Sequence, residues 1–201
     1  MLKRYKTFIK ESQTHSEINS ICKHYGIENY SINEDGLVDV DGDVCIVRNN
    51  WGKFLIPFGH VTGDFRCSEN QLTSLDGSPH KVGGDFHCYH NNIYSLIGGP
   101  TSVGGEYKAF DNNIRSFKGF PENHRSLMYI DFKTNPVNQL LAYFTSVDYL
   151  KVIHLMNEWG VIDDRVMELS YGDMCEVFDE LEDEEIPARE NYLLSYYTVV
   201  D

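Results

Sequence analysis

The sequence has no apolar run near the roughly 18 residues that a membrane-crossing helix needs. Its opening Met-Leu-Lys-Arg-Tyr-Lys also lacks the apolar stretch of a secretory signal. The expectations are no membrane association and a cytoplasmic location. The cysteines number five (Cys22, Cys45, Cys67, Cys88 and Cys175) and include no CxxC pair, which excludes a disulfide framework and a zinc ribbon. Neither GxGxxG nor GxxxxGK[ST] occurs, so no nucleotide cofactor is expected. Basic residues are scarce: 17 Lys and Arg stand against 31 Asp and Glu, a net charge of −14. Phosphate affinity comes mainly from Lys and Arg, so direct nucleic-acid binding is not expected.

The acidity is local. Residues 137–201 hold 3 basic and 15 acidic side chains, whereas 1–61 and 62–136 each hold 7 and 8. A nearly neutral body therefore precedes an acidic segment.

That body is repetitive. The stretches TGDFRCSENQLTSLDGSPHKV (62–82), GGDFHCYHNNIYSLIGGPTSV (83–103) and GGEYKAFDNNIRSFKGFPENH (104–124) align without a gap at a period of 21 residues. Residues 41–61 keep the same phase. A further copy, displaced by two residues, reads LxxIxFxxNPV through Leu127, Ile130, Phe132, Asn135 and Val137. Asn accordingly recurs at 49, 70, 91, 112 and 135. The pairs Phe65/Cys67, Phe86/Cys88 and Tyr107/Ala109 alternate with the period of a strand, and stacked coils would align these strands in a parallel sheet. The Asn must turn the chain inside the stack, where its amide can serve backbone groups that would otherwise be buried unpaired. Leu72/Leu75, Ile93/Leu96 and Ile114/Phe117 supply the opposite wall, and the Gly pairs at 83–84 and 104–105 are read as tight corners.

The fold class expected is α/β: a short leucine-rich-repeat solenoid of about five coils with parallel strands. Residues 1–40 are expected to form an N-terminal helix and hairpin cap, 41–137 the repeats, and 138–201 an acidic helical subdomain. Helical spacing links Tyr5, Phe8, Ile9, Ile18, Ile21, Cys22 and Tyr25 before Gly26, and a hairpin turns at Asp35-Gly36. Helices are predicted over 137–158, ending at Gly160, and from Asp163-Asp164 through Val166, Leu169, Val177, Phe178 and Leu181. The β-branched, aromatic end at 193–201 predicts a strand.

The leader YGIENYSINEDGLVDVDGDV (25–44) and repeats of the form GGDFxCxxNxLTSLxGxPxxV resemble the leucine-rich-repeat proteins of tailed, T-even-like bacteriophages, over about the first two-thirds of the chain. The resemblance implies phage origin, action in the host cytoplasm, and a protein-binding role for the strand face. That last step is an analogy from fold.

Outward strand positions fall into rows. The first is Asp43, Asp64, Asp85, Glu106 and Tyr129; the second is Cys45, Arg66, His87, Lys108 and Asp131; the third is Val47, Ser68, Tyr89, Phe110 and Lys133. Crowded carboxylates of the first row could be offset by the basic second row. Aromatic and Arg groups dominate interface hot spots, so the expected protein-binding residues are Arg66, His87, Tyr89, Lys108, Phe110 and Tyr129. The reading is a non-enzymatic factor that binds and blocks a host or antiviral-defence protein. The alternative is an acidic mimic of nucleic acid, acting on a nuclease or DNA-binding protein through Asp179, Glu180, Asp183 and Glu184. An exposed solenoid end or terminal strand also offers a route to homo-oligomers.

No catalytic group and no metal are expected. Strand alternation separates outward His87 from inward Cys67 and Cys88, and Asp39-Val40-Asp41-Gly42-Asp43 lacks the Gly and Glu that complete a calcium loop. Cys175 stands among Asp173, Glu176 and Asp179, surroundings that disfavour a thiolate.

Overall fold

The structure is a computed structural model and describes residues 14–121, 127–144, 149–163, 168–181 and 195–201. It forms a parallel-strand solenoid of about four turns, accompanied by a few helices. Helix α1 (His15–His24) opens with a capping box, in which the Thr14 side chain accepts from the Glu17 amide and the Glu17 carboxylate accepts from the Thr14 amide. It ends at Gly26, whose φ of +65° suits a residue without Cβ. Strands β1 (Tyr30–Ile32) and β2 (Val38–Val40) then form the expected antiparallel hairpin. Tyr5, Phe8 and Ile9 lie outside the described residues.

Among the described residues, the coils over 41–103 each contribute two short strands and the two that follow contribute one. One parallel sheet has the order β10-β9-β7-β5-β3, from Tyr129–Asp131, Glu106–Lys108, Phe86–His87, Phe65–Arg66 and Val44–Cys45. The second runs β1-β2-β4-β6-β8, adding Phe58–Val61, Lys81–Val82 and Ser102–Val103 to the hairpin. The second sheet is a departure from the expectation of a single strand per coil. Its two-residue members are too short for alternation to mark them, but Val61, Val82 and Val103 each point inward and are buried.

Between the sheets lies a core of aromatic rings stacked coil upon coil. The Phe65, Phe86, Tyr107 and Phe132 centroids are successively 5.9, 5.1 and 5.8 Å apart. Each such contact contributes about 0.5–1.5 kcal/mol beyond area burial. Cys67, Cys88 and Ala109 fill the narrow inward positions beside them, and burial pushes both thiols above their ordinary pKa.

The asparagines close the stack. Asn91 Nδ2 donates to the carbonyls of Cys67 (3.1 Å) and Cys88 (3.0 Å), and its Oδ1 accepts from the Leu72 amide at 3.0 Å. Asn70, Asn112 and Asn135 repeat the pattern, Asn112 with Cys88, Ala109 and the Ile93 amide. One side chain thus serves a carbonyl of the preceding coil, a carbonyl of its own coil and an amide of the preceding coil. The residue before each Asn (Arg48, Glu69, His90, Asp111 and Thr134) adopts a left-handed φ between 53° and 64°. The turn therefore holds strained backbone that the amide bonds stabilise.

After the last ladder Asn come helices α2 (Asn138–Leu141) and α3 (Tyr149–Trp159), with Gly160 at φ +68°. The predicted helix from Asp163-Asp164 is corrected: α4 begins at Tyr171 and ends at Leu181. Ahead of it, β11 (Ile162–Asp163) pairs antiparallel with β12 (Glu168–Ser170), and β12 pairs parallel with β13 (Thr198–Val200), the expected terminal strand. Leu169 is buried in this small sheet, which explains an apolar position that was read as helical. Val166 lies outside the described residues. Asn157 Nδ2 donates to the Phe117 carbonyl at 2.9 Å, and the Tyr197 hydroxyl donates to that of Arg115, tying this part to the repeats.

Asn91→Ala leaves the buried Leu72 amide without a partner, while the Cys67 and Cys88 carbonyls keep one bond each from Asn70 and Asn112, and should lower the unfolding free energy by about 1–3 kcal/mol in urea titration, against under about 0.5 kcal/mol for exposed Asn92→Ala. Tyr107 carries a fully buried hydroxyl that has no hydrogen-bond partner among the described residues. Tyr107→Phe should leave stability unchanged or raise it by about 1–2 kcal/mol; a loss of that size would contradict the assignment.

Candidate functional site

The register of the first sheet fixes the rows read from sequence. Cys45, Arg66, His87, Lys108 and Asp131 pair in succession, as do Glu106 and Tyr129. Arg66, His87, Lys108 and Tyr129 therefore stand on neighbouring strands of one outer face, with Tyr89 and Phe110 just beyond the strand ends.

The acidic first row does more than face solvent. Asp43 Oδ1 accepts from the Asp64 amide, Asp64 Oδ1 from the Asp85 amide and Asp85 Oδ1 from the Glu106 amide, each at 2.8 Å. Asp39 Oδ1 takes the His60 amide in the same way at 2.7 Å. These charge-assisted bonds fasten each coil to the next. They also explain the glycines. A Cβ at Gly63, Gly84 or Gly105 would lie 2.1–2.2 Å from the Asp oxygen of the preceding coil, and one at Gly83 or Gly104 would lie 2.0–2.1 Å from a backbone oxygen. None of these five has a positive φ. Close stacking, not corner conformation, is what requires them, which corrects the tight-corner reading.

Two acids of the first row also meet the basic row. Asp64 Oδ2 pairs with Arg66, and Glu106 Oε2 pairs with Lys108. Pairing pulls Glu106 below the usual carboxylate range and holds Lys108 above its ordinary value. The Lys108 ammonium also lies 5.8 Å from the Tyr129 ring centre. Both cations of the expected binding face are thus engaged within it, and the face is zwitterionic.

His87 is the exception. Its side chain is only 13% exposed and stands between Asp85 Oδ2 at 3.8 Å and Glu106 Oε2 at 3.7 Å. Burial, with Lys108 beside it, pushes the imidazole below its ordinary pKa and keeps it neutral near pH 7.

Beside this charged strip lies an aromatic one. Tyr89 and Phe110 stack face to face, 4.5 Å between centroids and 6° between planes, and His90 packs edge-on to both. Both stacked rings are half-buried. Ser68, second in that row, is fully buried and offers nothing to a partner. At its far end the face adjoins a groove of about 590 Å³ lined in part by Tyr129, Lys133, Leu141, Tyr149 and Leu150.

The alternative acidic surface falls only in part on the described residues. Glu180 is exposed on α4, its carbonyl accepting from Lys151 Nζ at 3.0 Å, and Asp179 belongs to the same helix. Asp183 and Glu184 lie outside the described residues. Among the described residues, the His, Cys and carboxylate side chains that converge closely enough to share a cation are Asp85, His87 and Glu106, not His87 with Cys67, Cys88 and His90. Sequence rows already placed Asp85 beside His87 and set the acidic row against the basic one, and the pairings of Arg66 with Asp64 and of Lys108 with Glu106 are that offset.

No family model, curated protein or solved structure matches this chain.

Gly84→Ala and Asp64→Ala should each destabilise by about 1–3 kcal/mol, and the double variant should lose at least about 1 kcal/mol less than their sum, because one change removes the oxygen that the other collides with. Strict additivity in chemical denaturation would contradict the shared contact.

Proposed function

We propose that the chain is a leucine-rich-repeat solenoid of phage origin that acts in the host cytoplasm as a non-enzymatic binding factor. It occupies and blocks a host or antiviral-defence protein through the face of the first sheet. The observation that carries this reading is the stacked Tyr89–Phe110 pair, half-buried on a repeat surface with Arg66, His87 and Lys108 alongside. Rigid aromatic groups bury much area at little entropic cost, which is why they dominate interface energetics. The repeat identity is supported by Asn70, Asn91, Asn112 and Asn135, whose amides each serve two coils, the last of them in the frame LxxIxFxxNPV.

The flanking ion pairs shape the kind of partner. Because Arg66 and Lys108 are already neutralised by Asp64 and Glu106, the partner needs no strong charge of either sign. It should present an apolar protrusion for the ring pair and exchangeable polar groups around it, with modest salt dependence.

The test is recovery of the partner by tagged protein from infected cells, followed by reconstitution with the purified chain. Tyr89→Ala with Phe110→Ala should weaken capture at least about 100-fold, the sum of two hot-spot truncations. The melting temperature should fall by only a few degrees, since one stacking contact is lost. Undiminished capture by that double variant would overturn this choice of surface. Loss of inhibition on charge reversal at Asp179, Glu180, Asp183 and Glu184 would transfer the function to the acidic segment.

A further inference from the structure

We infer that Asp85, His87 and Glu106 form a binding site for a divalent first-row transition-metal ion, on the outer face of the first sheet. The inference stands apart from the protein-binding role and reverses the sequence-based expectation of no metal. It begins from an unusual nitrogen. His87 Nε2 has no contact with solvent and, among the described residues, no hydrogen-bond partner, yet it lies between two carboxylates. At 3.8 Å from Asp85 Oδ2 and 3.7 Å from Glu106 Oε2, it is too far from either for a hydrogen bond.

Those separations suit a shared cation. One ligand atom from each of the three side chains lies within 4.8 Å of the others. Ligands at about 2.0–2.2 Å from a zinc-sized ion sit roughly 3.0–3.5 Å from one another, so the imidazole must approach each carboxylate by a few tenths of an ångström and the two carboxylates, within 4.8 Å of each other, must close to the same spacing. The backbone holds the parts in place. His87 follows inward Phe86, Glu106 precedes inward Tyr107, and the pairing of Phe86 with Tyr107 sets the two strands in register. Asp85 is oriented further, because its Oδ1 is held by the Glu106 amide and leaves Oδ2 directed toward His87.

The donor set selects the ion. One imidazole nitrogen favours zinc, iron, cobalt or nickel over magnesium or calcium, and two carboxylates bring the charge to match a dication. The nearby thiols of Cys67 and Cys88 are buried on the other side of the sheet and take no part. Three ligands leave the remaining positions for exchangeable groups.

One neighbour opposes the ion. Lys108 Nζ pairs with Glu106 through the same Oε2 that faces His87, so a metal must displace the ammonium. Arg66 does not compete, being paired with Asp64. This opposition gives the proposal a signed prediction: removing Lys108 should tighten metal binding, although it removes a surface cation from a face that would otherwise merely become more acidic.

The experiment uses the full chain stripped of metal by chelation. Zn²⁺ is titrated by calorimetry at neutral pH, and Co²⁺ is followed by its visible absorption. One equivalent of Zn²⁺ per chain is expected, with Co²⁺ bands free of thiolate charge transfer. His87→Gln and Glu106→Gln should each weaken Zn²⁺ at least about 10-fold, the effect of losing a ligand, whereas His90→Gln and Cys45→Ser should not change it. Lys108→Ala should strengthen it several-fold. The metal-free melting temperature of each variant reports that it is folded, and two ligand variants keep the test decisive if one fails to fold. Absence of saturable binding, unchanged affinity in both ligand variants, or weaker binding in Lys108→Ala would overturn the site.

Discussion

The buried asparagine amide is the constraint on which the molecule depends. A solenoid coil has to reverse direction inside a stack, where its peptide groups meet no water, and each unmet group costs about 1–3 kcal/mol. Asn70, Asn91, Asn112 and Asn135 answer this by using both ends of one short side chain. The nitrogen takes carbonyls from two coils and the oxygen takes an amide. Gln is longer by a methylene, and Asp would set an acceptor against two carbonyls. The demand recurs at every coil, which is why the period of 21 residues is kept without a gap over three units. Where two residues are added, before Leu127, the register of β10 against β9 becomes 23 residues and Asn135 still reaches the Ala109 carbonyl at 2.8 Å. The insertion is accommodated away from the ladder.

A second ladder follows from the first. Once the coils are spaced by the asparagines, Asp39, Asp43, Asp64 and Asp85 reach the amide 21 residues further along. Glycine is then the residue that leaves room for the oxygen. The longer Glu106 arm breaks the series, since its carboxylate turns to Lys108 and faces His87. The chemistry of the outer face is therefore concentrated where the repeat changes from Asp to Glu. The rows also bring Tyr89 and Phe110 together, because residues one coil apart stand one above the other.

Much of this was legible in the residues. The alternation Phe65/Cys67, Phe86/Cys88 and Tyr107/Ala109 marked the inward side correctly, and a fixed period placed the first two outward rows, whereas Ser68 of the third is buried. Three features were not. Strands of two residues at Lys81–Val82 and Ser102–Val103 are shorter than any periodic signal can reveal. The first-row aspartates looked like crowded surface acids, because sequence shows which residues are neighbours but not which of two oxygens turns to the backbone. The helix predicted from Asp163-Asp164 drew on Val166 and Leu169, and Leu169 is an apolar position that a short strand buries equally well.

The central claim is that the Asn side chains are structural bonds as permanent as the strands. Side-chain amide hydrogen exchange, measured on isotope-labelled protein, tests it most directly. The account predicts that the Nδ2 protons of Asn70, Asn91, Asn112 and Asn135 exchange as slowly as core strand amides such as those of Phe86 and Tyr107, while exposed Asn92 and Asn113 exchange at once. Rapid exchange at the four ladder positions, with the strand amides still protected, would contradict it.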